Sequence, residues 1–174
     1  MTRIGLKNIV GRVGRVGRVG PVGRAGRGWD FSSIYVREGG GQGGRMRHEF
    51  ALTQKAALEF ADEWIQAWNS HDLDRVLRHY APDVELTSPF VQRILGTETT
   101  TLRGVAALRE YFRRALAVYP RLQFVPRHVY SGARSVVIQY ESVGGRMSAE
   151  MLEFNEAGQV SRVWAHYSAE ADPV

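Results

Sequence analysis

Residues 134–168 read RSVVIQYESVGGRMSAEMLEFNEAGQVSRVWAHYS, and this stretch decides the fold. Apolar and polar residues alternate through it, which is typical of half-buried β-strands. Turn residues interrupt the alternation at residues 144–145, where two glycines stand, and at residues 155–158. The pattern therefore predicts an antiparallel meander, and its four strands cover residues 122–130, 134–143, 146–154 and 159–168.

Upstream of the meander, apolar residues recur at the spacing of helices. Residues 52–68 repeat them every three or four positions, as an amphipathic helix does. Asp72 is placed to cap a second helix that ends near Tyr80, and a third helix spans residues 104–119. A short strand at residues 84–88 lies between the last two helices. The order helix, helix, strand, helix, four strands predicts an α+β domain with helices on one face of a curled sheet.

The turns also predict a register for the sheet. A two-residue turn at 144–145 pairs Gln139 with Glu150, and a four-residue turn at 155–158 pairs Glu150 with Val163. One face then holds Glu150 together with Val137, Gln139, Glu141, Ser148, Leu152, Val163, Ala165 and Tyr167. The other, more apolar face holds Val136, Ile138, Tyr140, Met147, Ala149, Met151, Trp164 and His166. Pattern alone favours burial of the apolar face, and the alternative turns the Glu150 face inward to line a cavity.

Residues 1–47 differ from the rest of the chain in composition and charge. They hold ten Lys or Arg, two acids and thirteen of the nineteen glycines, whereas residues 48–174 hold thirteen basic and sixteen acidic residues. The sequence therefore predicts a disordered Gly/Arg-rich basic tail at 1–47 and one folded domain at 48–174. Three interpretations of the tail stay open: a solvated segment without function, a misassigned start with translation beginning at Met46, and an arm that binds nucleic-acid phosphates.

Composition excludes several classes of protein. The chain has no cysteine, which excludes disulfide frameworks and thiolate metal sites. No apolar run approaches the roughly 20 residues of a membrane span, and the tail lacks the apolar core of a targeting signal. The histidines show neither HxxxH nor HxH spacing, and no phosphate-binding glycine loop precedes a helix. We therefore expect a cytoplasmic protein that uses no metal and no cofactor.

Three runs of sequence carry a family resemblance. They are EWIQAWNSHDLDRVLRHYAPDVELTSPF at 63–90, RGVAALREYF at 103–112 and EFNEAGQVSRVWAHYS at 153–168. Over about residues 50–170 the chain resembles the nuclear transport factor 2-like superfamily, and within it the SnoaL-like and ketosteroid isomerase-like branch. The resemblance implies a cone-shaped curved antiparallel sheet wrapped around helices, with the Glu150 face lining a mostly apolar pocket. It also implies a homodimer through the outer sheet face, predicted to hold Ile138, Met151, Trp164 and His166.

The resemblance also assigns roles to residues. The base, the principal tyrosine and the sheet acid of the steroid isomerases correspond to Ser88, Trp64 and Glu150. Their supporting tyrosines correspond to Tyr80 and Phe112. A serine does not abstract a carbon-bound proton at neutral pH without a base of its own, and an indole donates but never accepts a hydrogen bond. The sequence therefore argues against classical ketosteroid isomerisation.

The retained acid favours an enzyme. We expect Glu150 and Tyr80 to be the catalytic residues of a cofactor-free cyclase, isomerase or lyase-type hydrolyase acting on a small apolar metabolite. Burial raises the pKa of a carboxyl group, and Glu141 is expected to add like-charge repulsion. One alternative is a non-catalytic ligand-binding or dimerisation module, and another is a nucleic-acid-associated protein acting through residues 1–47. The predicted pocket wall holds Trp64, Trp68, Ser88, Phe112, Gln139, Glu141, Val163 and Tyr167.

Overall fold

The structure is a computed structural model that describes residues 31–38 and 45–169, with side chains from residue 51 onward. Its α+β class is the predicted one. The elements are, in chain order, β1 Phe31–Glu38, β2 Arg45–Leu52, α1 Gln54–Asn69, α2 Leu73–Leu77, β3 Tyr80–Thr87, α3 Pro89–Leu95, β4 Thr101–Arg103, α4 Val105–Val118, β5 Val125–Ser131, β6 Ser135–Glu141, β7 Met147–Phe154 and β8 Val160–Tyr167.

Part of the predicted tail is described and forms strands. β1 and β2 pair in antiparallel fashion along their whole length. This differs from the disorder expected there, because the glycine repeat ends at Gly28 and β-favouring residues follow it. Residues 1–30 and 39–44 lie outside the described residues. Their disorder, the start at Met46 and the nucleic-acid arm stay predictions.

The main sheet has six strands in the order β4-β3-β8-β7-β6-β5. β5 to β8 form the predicted antiparallel meander, and β3 lies parallel to β8. The sheet is therefore mixed rather than purely antiparallel, and it is curved without closing on itself. α4 carries the chain from β4 at one edge of the sheet to β5 at the other.

α1 supplies the centre of the core. The Thr53 hydroxyl caps the helix by accepting a hydrogen bond of 3.1 Å from the backbone N–H of Ala56. The helix packs against β5 and β6 of the sheet. No helix in the part of the chain that the structure describes combines the length and apolar content of a membrane crossing. The residues that α1 buries include the six that helical spacing predicts and, in addition, Ala56 and Ala67; they are Ala56, Ala57, Phe60, Ala61, Trp64, Ile65, Ala67 and Trp68.

The second helix is shorter than predicted. Asp72 caps it as expected, accepting a 2.9 Å hydrogen bond from the backbone N–H of Arg75. The helix ends at Leu77, and Tyr80 begins β3 instead of completing the helix. The backbone N–H of Val160 bonds the His79 carbonyl at 2.8 Å, which draws this segment into the sheet.

The helix α3 was not predicted from the sequence. Pro89 directly follows the strand predicted at residues 84–88, and proline fits the first turn of a helix, where its missing N–H costs nothing. Ser88 caps α3 by accepting a hydrogen bond from the N–H of Phe90 at 3.2 Å. Gly96 ends the helix at φ 66°, a left-handed conformation that favours glycine.

The predicted register between β6 and β7 is wrong by one residue. The backbone N–H of Ser142 bonds the carbonyl of Arg146 at 2.8 Å, so the loop is longer than a two-residue turn. Ile138 therefore lies opposite Glu150, in place of Gln139. Because side chains alternate along a strand, a one-residue shift moves every side chain of β6 to the other face.

The inner face of the sheet, which packs under the helices, is the face that holds Glu150. On β6 the side chains that point to this face are those predicted for the outer face. The inner face holds Val136, Ile138, Tyr140, Ser148, Glu150, Leu152, Val163, Ala165 and Tyr167. Glu150 lies opposite Ala165 rather than Val163, a two-residue difference that leaves the faces of β7 and β8 as predicted.

The outer face holds Val137, Gln139, Glu141, Met147, Ala149, Met151, Glu153, Trp164 and His166. Ile138 is fully buried inside, so its predicted place on the outer face is wrong. Met151 and Trp164 face each other there and are half-buried, and His166 is exposed. The homodimer through this face stays a prediction.

Candidate functional site

A cavity of about 510 Å³ lies between the inner face of the sheet and helices α3 and α4. Among the described residues of its wall, Glu150 is the one carboxylate. His, Asp and Glu side chains in the described ranges form no group of three that could hold a metal ion. Aromatic side chains make up much of the wall, namely Trp68, Phe90, Tyr111, Phe112, Tyr119, Phe124, Tyr140 and Tyr167.

Glu150 is the buried acid of this cavity. It projects inward from β7 and is 9% exposed. Burial raises the pKa of Glu150 to about 7, while a hydrogen bond from Tyr140 acts to lower it. The carboxyl group therefore exists in both protonation states near neutral pH, as a group that must give and take a proton requires.

Tyr140 is the hydrogen-bond partner of Glu150. Its hydroxyl donates to Oε1 of Glu150 over 2.6 Å. Burial and the charge of Glu150 hold the pKa of Tyr140 well above its ordinary value, so the phenol stays protonated and keeps donating. Its ring packs against Phe124 at a tilt of 36°, with ring centroids 4.3 Å apart. The structure thus assigns to Tyr140 the position that the sequence assigned to Tyr80.

Tyr80 lies behind the cavity wall. Its hydroxyl accepts a 2.9 Å hydrogen bond from the indole Nε1 of Trp64, and both side chains are buried. Burial and then the negative charge of Glu150 raise the pKa of Tyr80. Neither Tyr80 nor Trp64 lines the cavity. Their pairing stabilises the core beside the site, which differs from the pocket and catalytic roles expected from the sequence.

A second group of hydroxyls, those of Ser88, Tyr111 and Tyr167, lies in the cavity wall. The hydroxyls of Ser88 and Tyr167 are 3.2 Å apart. Burial raises the pKa of Tyr111 to about 12, against a lowering effect of hydrogen bonding to Ser88. Burial also raises the pKa of Tyr167, and the charge of Glu150 adds to both shifts. All three side chains stay neutral donors in the wall near pH 7.

The other predicted pocket residues divide into three groups. Trp68 and Phe112 line the cavity and pack edge to face, with ring centroids 4.6 Å apart. Val163 is buried in the inner face but is not part of the wall. Gln139 and Glu141 lie on the outer face, so their predicted pocket positions are wrong.

Glu141 therefore does not act on Glu150. Its carboxylate forms an ion pair with Arg127 across β5 and β6. The raised pKa of Glu150 has burial as its cause, without the like-charge repulsion that the sequence predicted.

Sequence reasoning missed Tyr140, Tyr111 and the residues around α3. Tyr140 was hidden by the one-residue register error. Tyr111 precedes Phe112 on α4 and lies three residues after the buried Leu108. The helical spacing could therefore have predicted that Tyr111 faces the interior. Phe90 and Arg93 belong to α3, which was not predicted because Pro89 stands at its start.

Residues 61–172 match the SnoaL-like domain family. This match spans more than half of the chain, so the chain belongs to the SnoaL-like domain family. The comparison with curated proteins finds no match.

Three solved structures are similar to this chain. A SnoaL-like protein of unknown function from Burkholderia thailandensis is 39% identical, with 68% of this chain and 99% of that chain covered and a TM-score of 0.65. TerC, co-crystallised with polyporic acid, is 18% identical over 64% of this chain and 91% of that one, with a TM-score of 0.54. SalBIII, an epoxide hydrolase/cyclase-like enzyme in pyran ring formation in the polyether salinomycin, is 16% identical over 67% and 93%, with a TM-score of 0.53. The last two show a shared fold.

Proposed function

We propose that this chain binds a small, largely apolar molecule in the cavity and converts it by proton transfer through Glu150, without a cofactor, as a cyclase or isomerase. The observation that carries the proposal is the state of Glu150. It is a buried carboxyl group on the cavity wall whose pKa is raised to about 7 and which holds a hydrogen bond from Tyr140.

One residue suffices for such a reaction. The carboxylate of Glu150 takes a proton from a carbon next to a substrate carbonyl, which leaves an enolate. The enolate carbon then attacks a second carbonyl of the same molecule, and the new alkoxide takes the proton back from Glu150. Isomerisation differs only in that the proton returns to another carbon. The proton is returned in either case, so no co-reactant is consumed.

The neighbouring hydroxyls support both steps. The hydrogen bond from Tyr140 stabilises the carboxylate form, which takes the first proton. Ser88, Tyr111 and Tyr167 place neutral donors on the wall, where they can hold the substrate oxygen that becomes negative. Such donors act more strongly than in bulk water because aromatic rings make up much of the surrounding wall and lower the local dielectric constant.

The comparisons support a reaction of this kind. SalBIII is described as a cyclase-like enzyme of ring formation, and TerC was crystallised with a small organic acid. Both share the fold that places the cavity between sheet and helices.

A second candidate is a non-catalytic binding protein of the same fold. It is favoured by the absence of a second carboxylate or histidine among the described residues of the wall. A reaction that needs separate acid and base groups has no second partner here.

A single pair of variants separates the two candidates. Aromatic ketones and diketones are screened for an increase in melting temperature, and binders are incubated with the protein and followed by mass spectrometry. Glu150→Gln should still bind the hit but turn it over about 100-fold more slowly or worse. Glu153→Gln, on the outer face, is the matched control. Equal turnover by the wild type and Glu150→Gln overturns the role of Glu150, and binding without turnover by the wild type supports the binding protein instead.

A further inference from the structure

Two arginines converge on one side of the cavity. Arg93 lies in the last turn of α3, and Arg146 lies in the loop between β6 and β7. Their guanidinium carbons are 5.6 Å and 5.9 Å from the ring centroid of Phe90. Segments more than 50 residues apart thus bring two positive charges to one aromatic ring of the wall.

The ring between them leads toward the hydroxyl groups of the site. Phe90 packs against Tyr167 with ring centroids 4.4 Å apart. The Tyr167 hydroxyl in turn lies 3.2 Å from that of Ser88. A molecule in contact with both arginines therefore continues along aromatic rings to the hydroxyls and to Glu150, which share the same cavity.

The charge of Arg146 affects the pKa of a side chain in the cavity wall. Burial and the charge of Glu150 raise the pKa of Tyr167, and Arg146 acts against that rise. Arg93 is exposed and forms no ion pair with any described residue, whereas Arg75, Arg109 and Arg113 each bind a carboxylate. Among the described residues of the cavity wall, Arg93 and Arg146 are the two cations and Glu150 is the one carboxyl group.

We propose that the cavity binds an organic anion, a flat apolar molecule whose carboxylate, sulfonate or enolate lies at Arg93 and Arg146 while its rings extend toward Glu150. Guanidinium groups suit such anions because their planar donors match two oxygens at once. The inference rests on the cavity of the proposed function, and it needs no catalysis. It places the anionic end of the substrate away from the acid.

Two fluorescent probes test the proposal. They are 8-anilinonaphthalene-1-sulfonate and N-phenyl-1-naphthylamine, which share their rings and differ by the sulfonate. The wild type should bind the sulfonate more tightly. Arg93→Gln and Arg146→Gln should each weaken it about 5-fold and leave the neutral probe nearly unchanged. Lysine at either position should recover part of the loss, and Arg162→Gln, away from the cavity, should change neither probe.

Cavity-filling variants separate failure of this inference from failure of the proposed function. Ala165→Trp and Ala115→Trp each fill the cavity from a different element. If either folded cavity-filling variant loses the neutral probe, the cavity is shown to bind ligands. In that case the anion site alone is overturned if the arginine variants keep their affinity for the sulfonate, or if they lose affinity for both probes equally. If the filled variants bind both probes as the wild type does, the cavity is not the site of the probes and the anion site falls, whereas the proposed function is still decided by the turnover test with Glu150→Gln.

Discussion

Glu150 lies at the cavity and His79 lies in the packed core beside Phe60, and burial moves the pKa values of these two side chains in opposite directions. At the cavity, burial raises the pKa of Glu150 from 4.5 to about 7. In the packed core, where Phe60 meets His79 edge to face at 5.4 Å, burial lowers the pKa of His79 from 6.5 to about 4. Each group is driven toward its neutral form, because a low-dielectric interior penalises charge of either sign.

The difference matters for stability because the two pH ranges overlap. Between about pH 4.5 and 6.5 the folded state holds an extra proton on Glu150 and lacks one on His79. The two contributions to the pH dependence therefore largely cancel in the wild type. A variant that removes Glu150 or His79 should therefore show the pH dependence of the unfolding free energy that the remaining group causes.

The largest effect is expected from Glu150→Gln. A raised folded pKa gives stability that is present below pH 4.5 and lost as pH rises through 7. The variant should therefore gain up to about 3 kcal/mol of unfolding free energy over the wild type between pH 4.5 and 8. Urea unfolding at several pH values measures this gain, with Glu153→Gln as control. A gain that does not vary with pH contradicts a buried, half-protonated Glu150.

His79→Gln should show the opposite slope. A lowered folded pKa gives stability that is present above pH 6.5 and lost as pH falls toward 4. As pH falls from 6.5 to 4, the wild type should lose about 2 kcal/mol of unfolding free energy through His79, and the variant should not. This value is set below that of a fully buried group because His79 is only partly buried. The same urea series measures it, and His128→Gln, at an exposed position on β5, is the control. If the unfolding free energies of His79→Gln and the wild type vary with pH in the same way, this interpretation is wrong.

Tyr140→Phe sharpens the account of the cavity. Loss of the 2.6 Å hydrogen bond removes the interaction that lowers the pKa of Glu150. The titration midpoint of Glu150 should rise above 7 by about one pH unit. Carbon-13 NMR of the side-chain carboxyl follows it directly, and Tyr130→Phe at an exposed position is the control. An unchanged or lower midpoint means that Tyr140 does not stabilise the carboxylate.

The two tryptophans of α1 provide the smallest contrast. Trp64 donates a hydrogen bond to Tyr80, whereas the indole nitrogen of Trp68 has no hydrogen-bond partner among the described residues. Trp64→Phe should therefore be less stable than Trp68→Phe by about 1 kcal/mol, the value of one buried hydrogen bond. Thermal or urea unfolding compares them. Equal losses, or a larger loss at Trp68, remove the special role of the Trp64–Tyr80 pair.

The sequence predicted the site in part. Glu150 facing the interior, with Trp68, Phe112 and Tyr167 near it, came from alternation in the strands, from helical spacing and from the family resemblance. Tyr80 and Trp64 came from the resemblance and lie in the core beside the cavity instead. A position that is carried over from a family resemblance therefore does not bring its role with it.

Local sequence determined the helix stripes, the meander and the α+β class, because each depends on residues close together in the chain. Only the tertiary structure decided which face of β6 is buried. Gly144 and Gly145 adopt φ of 69° and 76°, which both a two-residue turn and the longer loop accept. Burial of Val136, Ile138 and Tyr140 together decides between them, since the other register places Gln139 and Glu141 in the apolar interior. That choice is made by contacts across the whole domain, and it determines which side chain holds the acid.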